Sequence, residues 1–174
     1  MTNLGDFGPH GDNPRPSVRA DGTRIAFNLR TELPGGGDAD VELFLADTRA
    51  GGLTQLTHTT GVLTTDTAIN ANGTRIALSS DATITGGNGD HNPEIFVYDI
   101  TTGAFTQLTD SPGSVAGNTL PALDADGTRV AFASDRNLVG SNPDHNQEIF
   151  LVTCAPPPPV SLCRPPTRSP SPVT

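Results

Sequence analysis

One eight-residue phrase occurs three times in this chain, as Ala20–Phe27 (ADGTRIAF), Ala71–Leu78 (ANGTRIAL) and Ala125–Phe132 (ADGTRVAF). The second copy begins 51 residues after the first, and the third begins 54 residues after the second. Self-similarity at a period of this length indicates a repeat architecture, in which each unit buries its apolar face against its neighbours. The repeat therefore predicts the fold before any single residue is considered.

Each phrase predicts a β-hairpin. The Asp-Gly or Asn-Gly pair favours a type I′ turn, since both central residues of that turn take positive φ. Apolar residues alternate with polar or small ones after the turn, which is the pattern of a half-buried strand. The apolar positions expected to lie between sheets are Val18, Ile25, Phe27, Phe44, Ile69, Ile76, Leu78, Phe96, Leu123, Val130, Phe132 and Phe150.

Each copy continues through a polar loop into a strand that starts at a glutamate: Glu42, Glu94 or Glu148. The first two copies then add a further strand, at 53–57 and 105–109. Four short antiparallel strands per repeat form the blade of a β-propeller. The sequence thus predicts an all-β chain of about three four-stranded antiparallel repeats.

Three motifs, one of which contains the third copy of the phrase, resemble the TolB-type (WD-like) β-propeller repeat. They are Pro121–Phe132, Glu94–Asp99 (EIFVYD) and Gly103–Thr109, which ends in Gln-Leu-Thr. The resemblance covers about residues 14 to 153. It implies propeller blades, which occur in bacterial envelope proteins, in propellers that gate peptidases and in secreted proteins of other kinds. The chain departs from the pattern at Thr67, where the other copies have proline, and at Leu29-Arg30, where they have Ser-Asp.

The repeat boundaries predict an incomplete propeller. Closed propellers typically use about four to eight blades, and here fewer than three are full. We expect a fragment of a longer gene, a chain that self-associates through open blade edges, or a poorly stable monomer. The expected divisions are residues 1–13 as the remnant of a preceding blade, 14–61 as blade 1, 62–117 as blade 2, 118–153 as blade 3 lacking its last strand, and 154–174 as a proline-rich disordered tail.

Composition excludes several classes of partner. The net charge is −9, and all ten basic residues are scattered arginines, so no basic stripe is available to follow a phosphate backbone and we expect no nucleic-acid partner. No apolar run is long enough to insert into a membrane. The first residues lack the basic start and apolar core of a signal peptide. As written the chain would remain in the cytoplasm, and it would be extracytoplasmic if it belongs to a secreted family member.

The end of the chain contains eight prolines between residues 155 and 174 and two cysteines, Cys154 and Cys163. Proline-rich segments favour polyproline II and cannot continue a sheet or a helix. The tail could bind a proline-recognition domain or serve as a linker. The cysteines could close a small loop in an oxidising compartment or stay reduced.

The loop before the third strand is the recurrent polar feature, as in Asn88–Glu94 (NGDHNPE). Side-chain oxygens at alternate positions could converge on calcium. Alternatively, asparagine and aspartate close the turn by bonding to nearby backbone, which is common in loops without metal. The candidate calcium ligands are Asn88, Asp90, Asn92 and Glu94 in the second copy and Asn142, Asp144, Asn146 and Glu148 in the third.

No motif points to an enzyme. The chain lacks a Gly-x-Ser-x-Gly nucleophile elbow, Cys154 has no evident histidine partner, and the carboxylates recur in every repeat, which favours a structural role. His91 and His145 occupy equivalent loop positions and are expected to be exposed, and His58 receives no role. We therefore expect a non-enzymatic scaffold, without a cofactor, that binds a protein or peptide. The alternatives are the propeller portion of a larger hydrolase or peptidase, and a calcium-stabilised secreted repeat protein.

Overall fold

The computed structural model describes residues 15–30, 40–60, 63–113, 117–140, 142–154 and 167–168. In these residues, twelve strands form three four-stranded antiparallel sheets, each ordered as the chain runs. We number these sheets blades 1 to 3. The strands are β1 Ser17–Val18, β2 Arg24–Arg30, β3 Val41–Asp47 and β4 Gly52–Gln55; β5 Thr64–Ile69, β6 Arg75–Ser80, β7 Glu94–Asp99 and β8 Ala104–Gln107; and β9 Asn118–Leu123, β10 Arg129–Ser134, β11 Glu148–Thr153 and β12 Thr167–Arg168.

The three blades share one register. Phe27 pairs with Phe44 between β2 and β3, Leu78 with Phe96 between β6 and β7, and Phe132 with Phe150 between β10 and β11. Because side chains alternate between the faces of a strand, a shared register places equivalent apolar residues on equivalent faces. The predicted all-β class and the four-stranded repeat are confirmed.

The core lies between the blades. Ala26 and Leu43 of blade 1 pack with Ile76, Leu78 and Phe96 of blade 2 in one buried cluster. A second cluster joins blade 2 to blade 3 through the residues Ala77, Ile95, Val97, Val130, Phe132, Phe150 and Val152. Each sheet is therefore stabilised by its neighbour, as expected of stacked repeats.

A row of hydrogen bonds joins the turns of successive blades. Arg24 Nη1 donates to the carbonyl oxygen of Gly73 at 2.9 Å, and Arg75 Nη1 donates to that of Gly127 at 2.8 Å. These arginines follow the turn in one blade and reach the turn glycine of the next. We call this row the turn rim. It is the polar part of each junction and flanks the apolar cluster.

Three positions of the predicted core are corrected. Val18 is 58% exposed, and Ile25 is half-buried at the margin of a separate buried cluster of blade 1 that contains Phe27 and Phe44. The equivalent Ile69 of blade 2 is buried since it packs with Ala26 of blade 1. Leu123 is also only half-buried, at the margin of the cluster between blades 2 and 3.

The turn type is also corrected. A hydrogen bond from Gly22 N to Arg19 O at 2.8 Å closes the first turn, and Gly22 alone takes positive φ, at 72°. The preceding Asp21 does not, so the turn is not of type I′. Asp21 Oδ1 instead accepts bonds from the amide and hydroxyl of Thr23. This longer turn, ending in a left-handed glycine, recurs at Gly73 and Gly127.

Blade 3 differs from the expectation that it lacks a last strand. The short strand β12 pairs with β11 at Leu151 and Phe150 and takes the fourth place in the sheet. Thr167 and Arg168, which form this strand, are the two residues of the proline-rich tail beyond Cys154 that the structure describes. Cys154, at the end of β11, is buried and disulfide-bonded, and Cys163 is the other cysteine of the sequence.

Some expectations fall outside the described residues. These are the blade remnant at 1–13, most of the tail at 154–174, and most of the first copy of the polar loop at 36–42. Across the residues that are described, no helix is long and apolar enough to cross a membrane.

Candidate functional site

The polar loop of blade 2 is closed by its asparagines. Asn88 is buried, and its Nδ2 donates to the carbonyl oxygen of Asn92 at 2.8 Å and to that of Ala82 at 3.4 Å. The Nδ2 of Asn92 donates to Asp90 Oδ2 at 2.8 Å. The same carboxylate oxygen accepts the amide of Gly113 at 3.0 Å. The loop is thus held to itself and to the segment that leaves blade 2.

Glu94 bonds to the segment that leaves blade 2 and to the first strand of blade 3. Its Oε1 accepts bonds from the amide and hydroxyl of Ser111, both at 2.7 Å, and its Oε2 accepts from Asn118 Nδ2 at 2.9 Å. Burial raises the pKa of Glu94, and hydrogen bonds from Thr109 and Ser111 only partly offset that rise. The carboxyl therefore links the end of blade 2 to the first strand of blade 3.

The loop of blade 3 repeats this geometry. Asn142 Nδ2 donates to Asn146 O at 2.8 Å, and Asn146 Nδ2 donates to Asp144 Oδ2 at 2.8 Å. The structure thus brings together the asparagines and the aspartate of each loop, and Ser111 bonds to both Asn92 and Glu94. Within the described ranges, no three histidine, cysteine or acidic side chains form a group that could hold a metal. Calcium binding remains a prediction.

Calcium binding has a direct test. The buried Oδ1 atoms of Asn88, Asn92 and Asn142 accept no hydrogen bond from the described residues, and such oxygens are potential cation ligands. If they bind calcium, millimolar calcium should raise the melting temperature by mass action. The double substitution Asp90→Ala, Asp144→Ala should abolish that rise. Identical melting curves in calcium and in chelator would leave only the turn-closing role.

The pKa of Glu94 predicts a pH dependence. Because it is raised above its ordinary value of 4.5, the folded chain binds this proton more tightly than the unfolded chain. The stability from this carboxyl is therefore fully present below pH 4.5 and is lost as pH rises through the raised pKa. The melting temperature of Glu94→Gln minus that of the unsubstituted chain should increase between about pH 4 and about pH 7.

The control is Thr102→Val, which changes an exposed residue of blade 2 without adding or removing a titratable group. Its difference from the unsubstituted chain should stay flat over the same pH window. A difference for Glu94→Gln that is constant, or that falls as pH rises, would contradict the raised pKa.

The two exposed loop histidines, His91 and His145, have the same local geometry. The Nδ1 atom of His91 lies 3.2 Å from Asp81 O, and that of His145 lies 3.2 Å from Asp135 O. Both residues take positive φ, at 53° and 54°, and both are exposed as predicted. The structure adds a feature that the sequence did not indicate, because His91 shares a cleft with His58 of blade 1.

This cleft lies between blades 1 and 2 and has a volume of about 430 Å³. We call it the junction cleft. Leu56, Ile84 and Phe105 line it and also pack against the buried cluster that joins the two blades. Its other lining residues are Thr57, His58, Thr59, Thr60, Ala82, Thr83 and His91. Apolar side chains that are fixed by packing, together with a few polar groups, are the usual lining of a ligand site.

A second cleft of about 440 Å³ lies between β2 and β3 of blade 1 and β5, the first strand of blade 2. Arg15 Nη1 forms an ion pair with Asp66 Oδ1 across it at 2.8 Å. Asp66 takes positive φ at an irregularity in the register of β5. Its Oδ2 accepts the amide of Leu120 at 3.3 Å. Because this aspartate already bonds to blade 1 and blade 3, we assign it a structural role.

Comparison with known proteins identifies the fold. No family model matches the chain, and no curated protein matches it. Solved structures do match. TolB from Acinetobacter baumannii superposes with a TM-score of 0.54 at 24% identity, over 89% of this chain and 33% of that one. The tricorn protease gives a TM-score of 0.56 at 19% identity, over 81% of this chain and 14% of that one.

A structure from a study of two prolyl endopeptidases gives a TM-score of 0.52 at 15% identity, over 86% of this chain and 21% of that one. The chain has a TolB-like β-propeller fold, and the resemblance found in its sequence is confirmed at that level. It spans a third or less of the length of these three proteins. Since they include TolB and proteases, the likeness defines the fold and leaves the activity open.

Proposed function

We propose that this chain is a non-enzymatic β-propeller scaffold that binds a protein or peptide partner in the junction cleft. The observation that carries the proposal is the composition of the cleft. Leu56, Ile84 and Phe105 provide apolar contact area, and the imidazoles and hydroxyls beside them can form hydrogen bonds. Such a surface suits a peptide that inserts one apolar side chain while its backbone forms hydrogen bonds with the polar groups of the cleft.

The setting of the cleft also supports binding. Its lining comes from the segment that follows β4 in blade 1, and from a loop and the last strand, β8, of blade 2; the buried cluster joins the two blades. Binding residues are often carried on loops that a rigid repeat positions. A peptide would therefore meet a cleft that is already formed, which lowers the entropic cost of association.

The test is a selection of peptides that bind the immobilised chain, taken from a random library displayed on phage. Thr60→Trp places a large side chain at an exposed position on the cleft. We expect it to weaken the selected peptides at least about tenfold by occlusion, a change of about 1.4 kcal/mol. Thr102→Trp is the control, because Thr102 is exposed in the turn between β7 and β8, outside the cleft.

The proposal fails if the selected peptides bind Thr60→Trp and the unsubstituted chain equally well. It also fails if both tryptophan variants weaken binding to the same extent, because the effect would then be unrelated to the cleft. Circular dichroism of each variant establishes that the fold is retained.

A second candidate function is the propeller portion of a larger hydrolase or peptidase. What supports it is that two of the similar structures are named as the tricorn protease and prolyl endopeptidases. The reading frame that flanks this chain in its gene separates the candidates. A hydrolase domain encoded in the same frame would favour the second, and a frame that encodes only further blades would favour the scaffold.

A further inference from the structure

The junction cleft is lined by two histidines and, among the described residues, by no other side chain that carries charge near neutral pH. The rest of its lining consists of three larger apolar side chains, one alanine and four threonines. The whole chain has a net charge of −9, so a cleft without acidic lining differs from the chain as a whole. Histidine is the side chain whose charge ordinarily changes between about pH 5 and 8. The charge of the cleft therefore depends on His58 and His91.

Hydrogen bonding determines which nitrogen of His91 carries a proton. Its Nδ1 lies 3.2 Å from the carbonyl oxygen of Asp81. A carbonyl oxygen only accepts, so Nδ1 is the donor and Nε2 is the nitrogen left for a ligand. In the neutral ring Nε2 accepts a hydrogen bond, and only in the charged ring does it donate one. Protonation therefore changes His91 from a partner for donors into a partner for anions.

Three carboxylates belong to the surroundings of the cleft, but none of them lines it. Glu42 bonds to the amide and hydroxyl of Thr59, and Asp81 and Asp90 each directly precede a lining residue in the chain. Each of the three accepts a hydrogen bond from a backbone amide of the chain. Because these carboxylates already have donors, the imidazoles are the charged groups that a ligand in the cleft would contact at low pH.

We propose that the junction cleft selects peptides in which a carboxylate lies next to an apolar side chain, and that it binds them more tightly as the pH falls. This inference rests on the proposed peptide-binding function and adds the chemistry of the ligand. The apolar side chain packs on Leu56, Ile84 and Phe105. The carboxylate accepts hydrogen bonds from the charged imidazoles of His58 and His91, and such charge-assisted bonds are stronger than neutral ones.

The first test selects peptides from the random phage library at about pH 5.8 and elutes them at about pH 8, on either side of the ordinary titration of histidine. We expect the eluted sequences to combine a carboxylate with a neighbouring apolar residue. Synthetic peptides of these sequences should bind at least about tenfold more tightly at the lower pH. Versions in which every carboxylate is replaced by an amide should lose this difference.

Two further versions of each peptide separate the two sources of a carboxylate. The first keeps the acidic side chain and has an amidated C-terminus. The second has glutamine or asparagine in place of the acidic residue and keeps a free C-terminus. The version that retains the pH dependence identifies the carboxylate that the cleft binds.

Histidine substitutions test whether the cleft supplies the pH dependence. His58→Gln and His91→Asn should each reduce it, and together they should abolish it. The control is His145→Asn, because His145 has the same contact with a carbonyl oxygen and nearly the same positive φ but lies in blade 3, outside the cleft. Asparagine suits both loop positions since it tolerates positive φ. The control also removes one titrating group, so it separates a local effect from a change in net charge.

Binding that is equally tight at both pH values, or that is independent of a carboxylate, would overturn the inference. So would a pH dependence that persists in the double histidine variant, or one that His145→Asn reduces as much as His91→Asn does.

Thr60→Trp distinguishes this inference from the function on which it rests. If Thr60→Trp weakens the peptides while pH and carboxylate have no effect, the cleft binds peptides and only the carboxylate preference is wrong. If Thr60→Trp leaves binding unchanged, the peptide-binding function is wrong and the carboxylate preference with it. A selection that yields no peptide at either pH would overturn both.

Discussion

Replacing Arg75 with alanine is expected to destabilise the chain by about 3–5 kcal/mol, the range found when one partner of a buried ion pair is removed. Arg75 is fully buried, and its Nη1 donates to Gly127 O at 2.8 Å. Its Nε lies 3.6 Å from Asp99 Oδ2, and Asp99 is only 7% exposed. The substitution leaves a buried carboxylate without its cation and a carbonyl without its donor.

Arg129→Ala is the matched control for this experiment. Arg129 occupies the same position in blade 3 but is exposed, and surface substitutions usually change stability by less than about 0.5 kcal/mol. Denaturant unfolding of both variants should be measured at low protein concentration, so that association between chains does not contribute. Equal losses for the two variants would mean that the junction between blades 2 and 3 does not depend on Arg75.

Phe96→Ala is the second large expected effect, with a loss of about 3–5 kcal/mol, typical of phenylalanine removed from a close-packed core. Phe96 is fully buried in β7, opposite Leu78, and packs in the cluster that joins blades 1 and 2. The cavity would lie in the junction itself, where the neighbouring sheets can collapse only partly. The stability of both blades should therefore fall together.

The control for Phe96→Ala is Val139→Ala, at a loop position that is 40% exposed. Its loss should stay within about 0.5 kcal/mol. A loss of less than about 1 kcal/mol for Phe96→Ala would contradict close packing at this junction. The result also bears on cooperativity, because a single unfolding transition in this variant would indicate that the blades unfold as one unit.

Much of the fold follows from the repeated phrase alone. Alternating apolar residues in three equivalent copies determine which face of each strand is buried, and they lead to one register, with Phe44, Phe96 and Phe150 at equivalent places. Side chains in a strand alternate between faces with a period of two, so this information is local and can be read without a structure.

The candidate site was only partly predictable, for reasons of distance along the chain. The bond between Asn92 and Asp90 joins residues two positions apart and follows from asparagine chemistry. The partners of Glu94 come from Ser111 and Asn118, 17 and 24 positions away. The meeting of His58 and His91 in the junction cleft depends on how two blades stack, which no local pattern contains.

The sequence by itself determined the kind of sheet, the number of repeats and the faces that alternate between core and solvent, because these depend on neighbours along the strand. Tertiary structure alone decided which equivalent residues are buried. Arg75 and Arg129 stand in the same phrase, as do Ile95 and Ile149 in their strands, yet only the first of each pair is buried. The physical reason is that Arg75 and Ile95 lie where blade 2 packs against blade 3, whereas within the described residues no blade packs against the equivalent face of blade 3.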